Sequence, residues 1–195
     1  MRTQRFIVIA LLSASLLAME LIWTRLFSAE FFYTYAFLIL SLAIMGLGLG
    51  ALSVRLVPSL GRRRALSAVL TLVGCTVLAG PPLVFLVGLN FTKLLDGWGM
   101  VGRLVLVILI LSSAFYLGGI ALAALFRRNH RAMPRLYMAD LLGAGAGVLL
   151  AVWMMNQFGT PAAAFLAAVP VLAAAVLVSR SWRKVAPLLS LDGRA

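Results

Sequence analysis

The sequence predicts an all-α polytopic membrane protein, a bundle of six transmembrane helices with both termini in the cytoplasm. Three observations predict it. Of 195 residues, 64% are hydrophobic and 11% are charged, against about 45–50% and 25% in soluble domains. Too few polar side chains remain to surround a water-soluble core. The apolar residues fall into runs at 6–24, 31–56, 65–89, 101–126, 136–157 and 161–180. Each approaches the ~20 residues a helix needs to cross a ~30 Å hydrocarbon layer, and the longer ones can tilt. Charge supplies the third observation. If the spans alternate, fourteen of the seventeen Lys and Arg lie on one side, with Arg25, Lys93 and Arg103 on the other. The positive-inside rule then places both ends in the cytoplasm.

The first run follows Arg2 and Arg5 and reads FIVIALLSASLLA, a pattern shared with secretory signal peptides. No clean small-x-small site closes it before Glu20, and a second span follows within a few residues, so it is read as the first helix. The third run carries Gly80-Pro81-Pro82 and the sixth carries Pro170 midway. Proline removes a backbone donor and clashes with the preceding turn, so both spans are expected to bend there. Pro161 suits the first turn of the sixth helix. Trp23, Phe31, Phe32, Tyr33, Tyr35, Trp98 and Trp153 are expected at the outer interface, and Tyr137 and Trp182 at the inner one. Residues 1–180 form the membrane domain and 181–195 a short basic tail.

Several function classes are excluded or left without support. The lone cysteine, Cys75, cannot form an internal disulfide and is expected to pack as a small hydrophobe. His130, in RRNHR, is read as a solvated loop residue. No metal site, cofactor loop or catalytic residue set is evident. The net charge of +12 is spread over loops beside the membrane, which points to anionic lipid and argues against nucleic acid.

GLGLG at 46–50 and GAGAG at 143–147 lie inside apolar runs, where a nucleotide-binding turn has no place. Gly46, Gly50, Gly143 and Gly147 instead show the small-xxx-small spacing that lets helix backbones approach closely. Both pairs lie roughly 10–16 Å from the same side at 1.5 Å per residue. Helices two and five are therefore expected to pack together. Gly46 is the sixteenth residue of its run and Gly143 the eighth, a mismatch that argues against two inverted three-helix repeats.

Four charged residues form a candidate intramembrane polar site: Glu20, Arg25, Glu30 and Asp140. Glu20 falls within the hydrocarbon, where an isolated charge costs ~2.5–3.5 kcal/mol on insertion scales. It should be protonated, paired or facing a polar cavity. Arg25 marks the outer boundary, about 140° around a continuous helix from Glu20. Glu30 is expected to start the second helix, where an acid complements the helix dipole. Asp140 lies about 6 Å inside the fifth span, within reach of Arg55 if helices two and five touch, or of a loop arginine. A tertiary clamp and a substrate or proton site are both open readings for it.

Two motifs carry a family resemblance. Glu20-x-x-Trp23-Thr24-Arg25, followed by the glycine-rich second span, resembles the start of the membrane portion of fused spermidine synthase-like proteins. RLYMADLLGAGAGVLLA, from Arg135 to Ala151, is similar to that family's LYxADxxGAxxG segment, and YLGGIALAALFRR fits its penultimate stretch. The resemblance implies a membrane region followed by a Rossmann-like domain that transfers an aminopropyl group from decarboxylated S-adenosylmethionine to putrescine. After Arg180 this sequence holds only SWRKVAPLLSLDGRA, with Asp192 its sole acid. No catalytic residue is carried over, and the chain is not expected to be catalytic alone. The expectation is a plasma (inner) membrane module that anchors, or passes substrate to, a separately encoded aminopropyltransferase-type enzyme. The alternative is a small transporter for polyamines or other cations, with Glu20, Glu30 and Asp140 as ligands.

Overall fold

A hydrocarbon layer offers the backbone no hydrogen-bond partners, so apolar runs of this length close their own bonds as helices. The computed structural model describes residues 2–30, 34–88, 98–128 and 132–189. They form α1 (Arg2–Glu30), α2 (Thr34–Leu56), a 3-10 turn (Pro58–Gly61), α3 (Arg63–Val87), α4 (Trp98–Arg128), α5 (Met133–Phe158), α6 (Thr160–Leu166) and α7 (Ala168–Leu189). Six segments are long and apolar enough to cross a membrane: Gln4–Glu30, Ala36–Leu56, Ala65–Val87, Trp98–Arg128, Met133–Phe158 and Thr160–Ser179. The protein is an all-α, multi-pass membrane protein.

Local signals set the helix ends. Gly88 stops α3 with φ +62°, and Gly159 separates α5 from α6 with φ +79°, both conformations that favour glycine. Pro134 and Pro161 sit in the opening turns of α5 and α6, where a missing N–H costs nothing. α3 runs as one helix through Pro81 and Pro82. The sixth span does break, at Ala167, and Pro170 lies in the first turn of α7 rather than mid-helix. Its ring removes the donor for the Leu166 carbonyl four residues earlier, which ends α6. α7 continues to Leu189, so residue 180 is not a helix boundary. His130, Lys93, the aromatic residues 31–33 and the tail at 190–195 lie outside the described residues.

α1 is apolar on all sides, as a central helix must be. Ile9, Leu12, Met19 and Ile22 are fully buried on it, and it packs on α5, α7, α2, α6 and α4. α2 packs on α4, and α3 lies between α4 and α7. Side-chain contacts fix the directions. Ala10 and Ala14 meet Gly143 and Gly147, so α1 and α5 run in the same sense. Gln4 and Ser15 meet Leu177 and Ala167, so α7 runs opposite to α1.

The two glycine rows do not face each other. A Cβ on Gly143 or Gly147 would overlap the carbonyl oxygen of Ala10 or Ala14 on α1. On α2, a Cβ at Gly46 would lie 2.7 Å from Phe115 Cβ, and one at Gly50 would overlap the Tyr116 carbonyl of α4. Gly119 of α4 answers from the other side, where a Cβ would lie 2.5 Å from the Leu47 carbonyl oxygen. The expected pairing of helices two and five is therefore wrong. Each row docks on a different helix, because equal depth says nothing about the direction a helix face points.

The helix bounds narrow the mismatch between the two rows without removing it: counted from Thr34 and Met133, Gly46 is the thirteenth residue and Gly143 the eleventh. The pairing of helices is nevertheless similar in the two halves. The first helix of each half docks on the glycine row of the other half's second helix. The third spans meet at Gly74 and Leu172. With three spans per half, the second half is inverted relative to the first. The repetition is partial: among the described residues α1 packs on α2, whereas α4 and α5 form no comparable pair.

Two further expectations change. Trp23 is fully buried rather than at a lipid-facing boundary, and Cys75 is exposed on the bundle surface rather than packed inside. Its neighbour Gly74 takes the packed position.

Substituting leucine at Gly50 or Gly147 is expected to destabilise the bundle by roughly 1–3 kcal/mol or more through overpacking. The same change at Gly48 or Gly145, where nothing lies within 4 Å, should be near neutral. Reversible unfolding in mixed detergent micelles reads the difference.

Candidate functional site

The run Ala10-Leu-Leu-Ser-Ala-Ser-Leu-Leu-Ala gives α1 a stretch of small residues that neighbouring backbones can approach. Ser13 and Ser15 are its buried polar residues, 2% and 1% exposed. The Ser13 hydroxyl donates to the Asp140 carboxylate on α5. The Ser15 hydroxyl donates to the Ala167 carbonyl at the break between α6 and α7. Two residues on a helix point about 200° apart, so the serines fasten α1 on opposite sides. Asp140 is half-buried, and its bond to Ser13 follows from the glycine contacts one turn further along. Arg55 sits exposed on α2, which is not paired with α5. The expected Arg55 partnership is replaced by a serine.

Glu20 lies seven residues beyond Ser13, about 10 Å along α1. It is half-buried and lines a recess of about 300 Å³ between α1, α2 and α5. Leu17, Leu21 and Thr24 continue the α1 wall. Phe37 and Leu40 of α2 face them, and Val148 of α5 closes the third side. Phe37, Leu40 and Val148 are exposed, so the recess opens sideways toward lipid. Among the described residues, no hydrogen bond or ion pair reaches the Glu20 carboxyl.

Arg25 and Glu30 do not join this recess. α1 is one helix to Glu30, so the 140° offset between Glu20 and Arg25 stands, and Arg25 is exposed. Glu30 ends α1 instead of starting the second helix. The dipole there disfavours an acid, and exposure to the aqueous boundary is what makes it tolerable. The four candidate residues are thus dispersed among separate environments.

Trp23 of the same motif is a packing hub. Its ring meets Phe27 edge-on at 6.3 Å and Phe115 at 6.0 Å. Gly80 makes room beneath it, since a Cβ there would lie 2.7 Å from the indole. At the end of the bundle where α2 and α4 finish, the Ser53 and Tyr116 hydroxyls lie 2.9 Å apart, and Arg127 donates to the Val54 carbonyl at 2.9 Å. Arg5, Arg55, Arg62, Arg127 and Arg135 are exposed at that end.

Sequence reasoning missed Ser13 and Ser15. Their signal was present, as two hydroxyls in an otherwise aliphatic run at the depth of Asp140. Among the described residues, no group of three or more His, Cys, Asp or Glu could hold a metal ion. Comparison of the chain with protein-family models, curated proteins and solved structures finds no match.

Ser13→Ala and Asp140→Ala are expected to couple by about 0.6–1.7 kcal/mol in a double-mutant cycle, the range for interhelical hydrogen bonds in membranes. Ser15→Ala and Asp140→Ala should be additive, since Ser15 bonds elsewhere. Unfolding free energies of the single and double variants check both.

Proposed function

We propose that the chain is an integral membrane module of the spermidine synthase-like type, anchoring or passing substrate to a separately encoded aminopropyltransferase-type enzyme. One observation carries the reading: two motifs distant in sequence are neighbours in space. The Asp140-x-x-Gly143-x-x-x-Gly147 segment docks on the residues of α1 that lead into Glu20-x-x-Trp23-Thr24-Arg25. Val148, directly after the second motif, completes the recess beside Glu20. The exposed arginines at one bundle end support an orientation with that end, and both termini, in the cytoplasm of a plasma (inner) membrane. There they meet anionic headgroups and any soluble partner.

The second reading, a small transporter for polyamines or other cations, is favoured by the inverted pairing of the two halves, a common transporter architecture. Against it, Glu20, Glu30 and Asp140 mark no continuous path.

Affinity purification at native expression is expected to recover a Rossmann-type soluble protein with the membrane chain; recovery of the chain alone counts against the module reading. In proteoliposomes, labelled putrescine uptake abolished by Glu20→Gln or Asp140→Asn would favour the transporter instead. The module reading expects no uptake above empty vesicles.

A further inference from the structure

We propose that the recess between α1, α2 and α5 holds one acyl chain of a phospholipid whose phosphate pairs with Arg25. The inference goes beyond the module reading and rests only on the membrane-spanning fold. The recess suits hydrocarbon. Leu17, Leu21, Phe37, Leu40 and Val148 line it, and its surface is almost wholly apolar. Phe37, Leu40 and Val148 are exposed, so it opens sideways onto the lipid-facing surface.

Size and depth decide between a chain and a helix as its occupant. From Leu17 to Thr24 the α1 wall is about 10 Å long at 1.5 Å per residue. A volume of about 300 Å³ admits a slender, flexible chain, whereas a transmembrane helix is ~10–12 Å across. α1 has 29 residues, so it spans ~43 Å against a ~30 Å hydrocarbon core. Centred in the bilayer, it extends ~6 Å beyond the core at each end. Arg25, five residues before the Glu30 end, then stands at the boundary, and the recess occupies the ~10 Å directly below it. That layer belongs to the acyl chains of the leaflet on the Glu30 side.

Arg25 supplies the polar half of the site. It stands outside the recess but follows Leu21 by four residues, which places it on the same side of α1, one turn nearer the boundary. It is exposed, and no hydrogen bond or ion pair reaches it among the described residues. Its guanidinium can snorkel to headgroup level and hold phosphate oxygens through paired N–H groups. A phospholipid meets both conditions at once, with its phosphate at the boundary and its chain beneath. Diacylglycerol meets only the recess, and a soluble phosphate only the arginine.

The test uses the full chain, delipidated in detergent, titrated with phosphatidylglycerol and followed by native mass spectrometry. Wild type is expected to bind a first phosphatidylglycerol at least tenfold more tightly than later ones. Arg25→Gln removes the charge and Val148→Trp fills the recess; each should weaken that first binding at least fivefold. Leu142→Trp puts the same bulk on the exposed face of α5 away from the recess and should bind as wild type does. Diacylglycerol should bind wild type and Arg25→Gln alike. Equal first affinities in wild type and Arg25→Gln would overturn the proposal, as would Leu142→Trp losing as much as Val148→Trp. A dimer that excludes the lipid would also overturn it, by giving the recess to a second copy. None of these outcomes bears on whether a soluble enzyme co-purifies.

Discussion

The approach of α5 to α1 through Gly143 and Gly147 determines where the polar groups of this protein lie. Lipid tails are as apolar as leucine, so no hydrophobic force draws two helices together inside a bilayer. What remains is van der Waals contact and hydrogen bonding, and both require short distances. Glycines four residues apart let the α5 backbone rest on the carbonyls of Ala10 and Ala14. One turn toward the start of α5, that approach brings Asp140 to Ser13. Just beyond it, Val148 reaches the wall of the Glu20 recess. A bulkier residue in the row would push α5 outward and loosen both the clamp and the recess.

The same device recurs between α2 and α4, with different accompaniment. There the close approach is reciprocal, since Gly119 of α4 also faces the α2 backbone. The polar groups that follow are a hydroxyl pair and an arginine on a carbonyl, with no acid. The two halves therefore share a packing scheme but not a chemistry. An inverted scaffold supplies two similar helix pairs, and only the α1–α5 pair has been equipped with carboxylates. That asymmetry places acids on the α1–α5 pair and none on the α2–α4 pair.

The six spans and the packing role of small residues were legible because composition and spacing are sufficient for both. Runs of about twenty apolar residues admit one backbone solution in lipid. Partner choice was not legible, because depth along a helix fixes one coordinate and leaves the azimuth open. Gly50 and Gly147 lie at similar depth yet meet different helices. The start of the second helix was not legible for a related reason. The second apolar run begins at residue 31, whereas α2 begins at Thr34. Glu30 was misplaced by the same blurring. Hydropathy does not mark where a helix ends when the boundary residues are themselves aromatic.

Among the polar groups on α1, satisfaction separates structure from candidate function. Ser13 and Ser15 are almost completely buried, and each has a partner, Asp140 on α5 for one and the Ala167 carbonyl at the α6–α7 break for the other. They behave as fasteners, and their hydroxyls lose nothing by leaving water. Trp23 is buried with its indole N–H unpartnered among the described residues, and its contribution is the ring that Gly80 accommodates. Glu20 differs from all three. It is half-buried, it has no hydrogen bond or ion pair among the described residues, and it borders the recess between α1, α2 and α5. An unpaired indole N–H costs little beside the packing of so large a ring, whereas a carboxylate in lipid has no comparable compensation from its own helix.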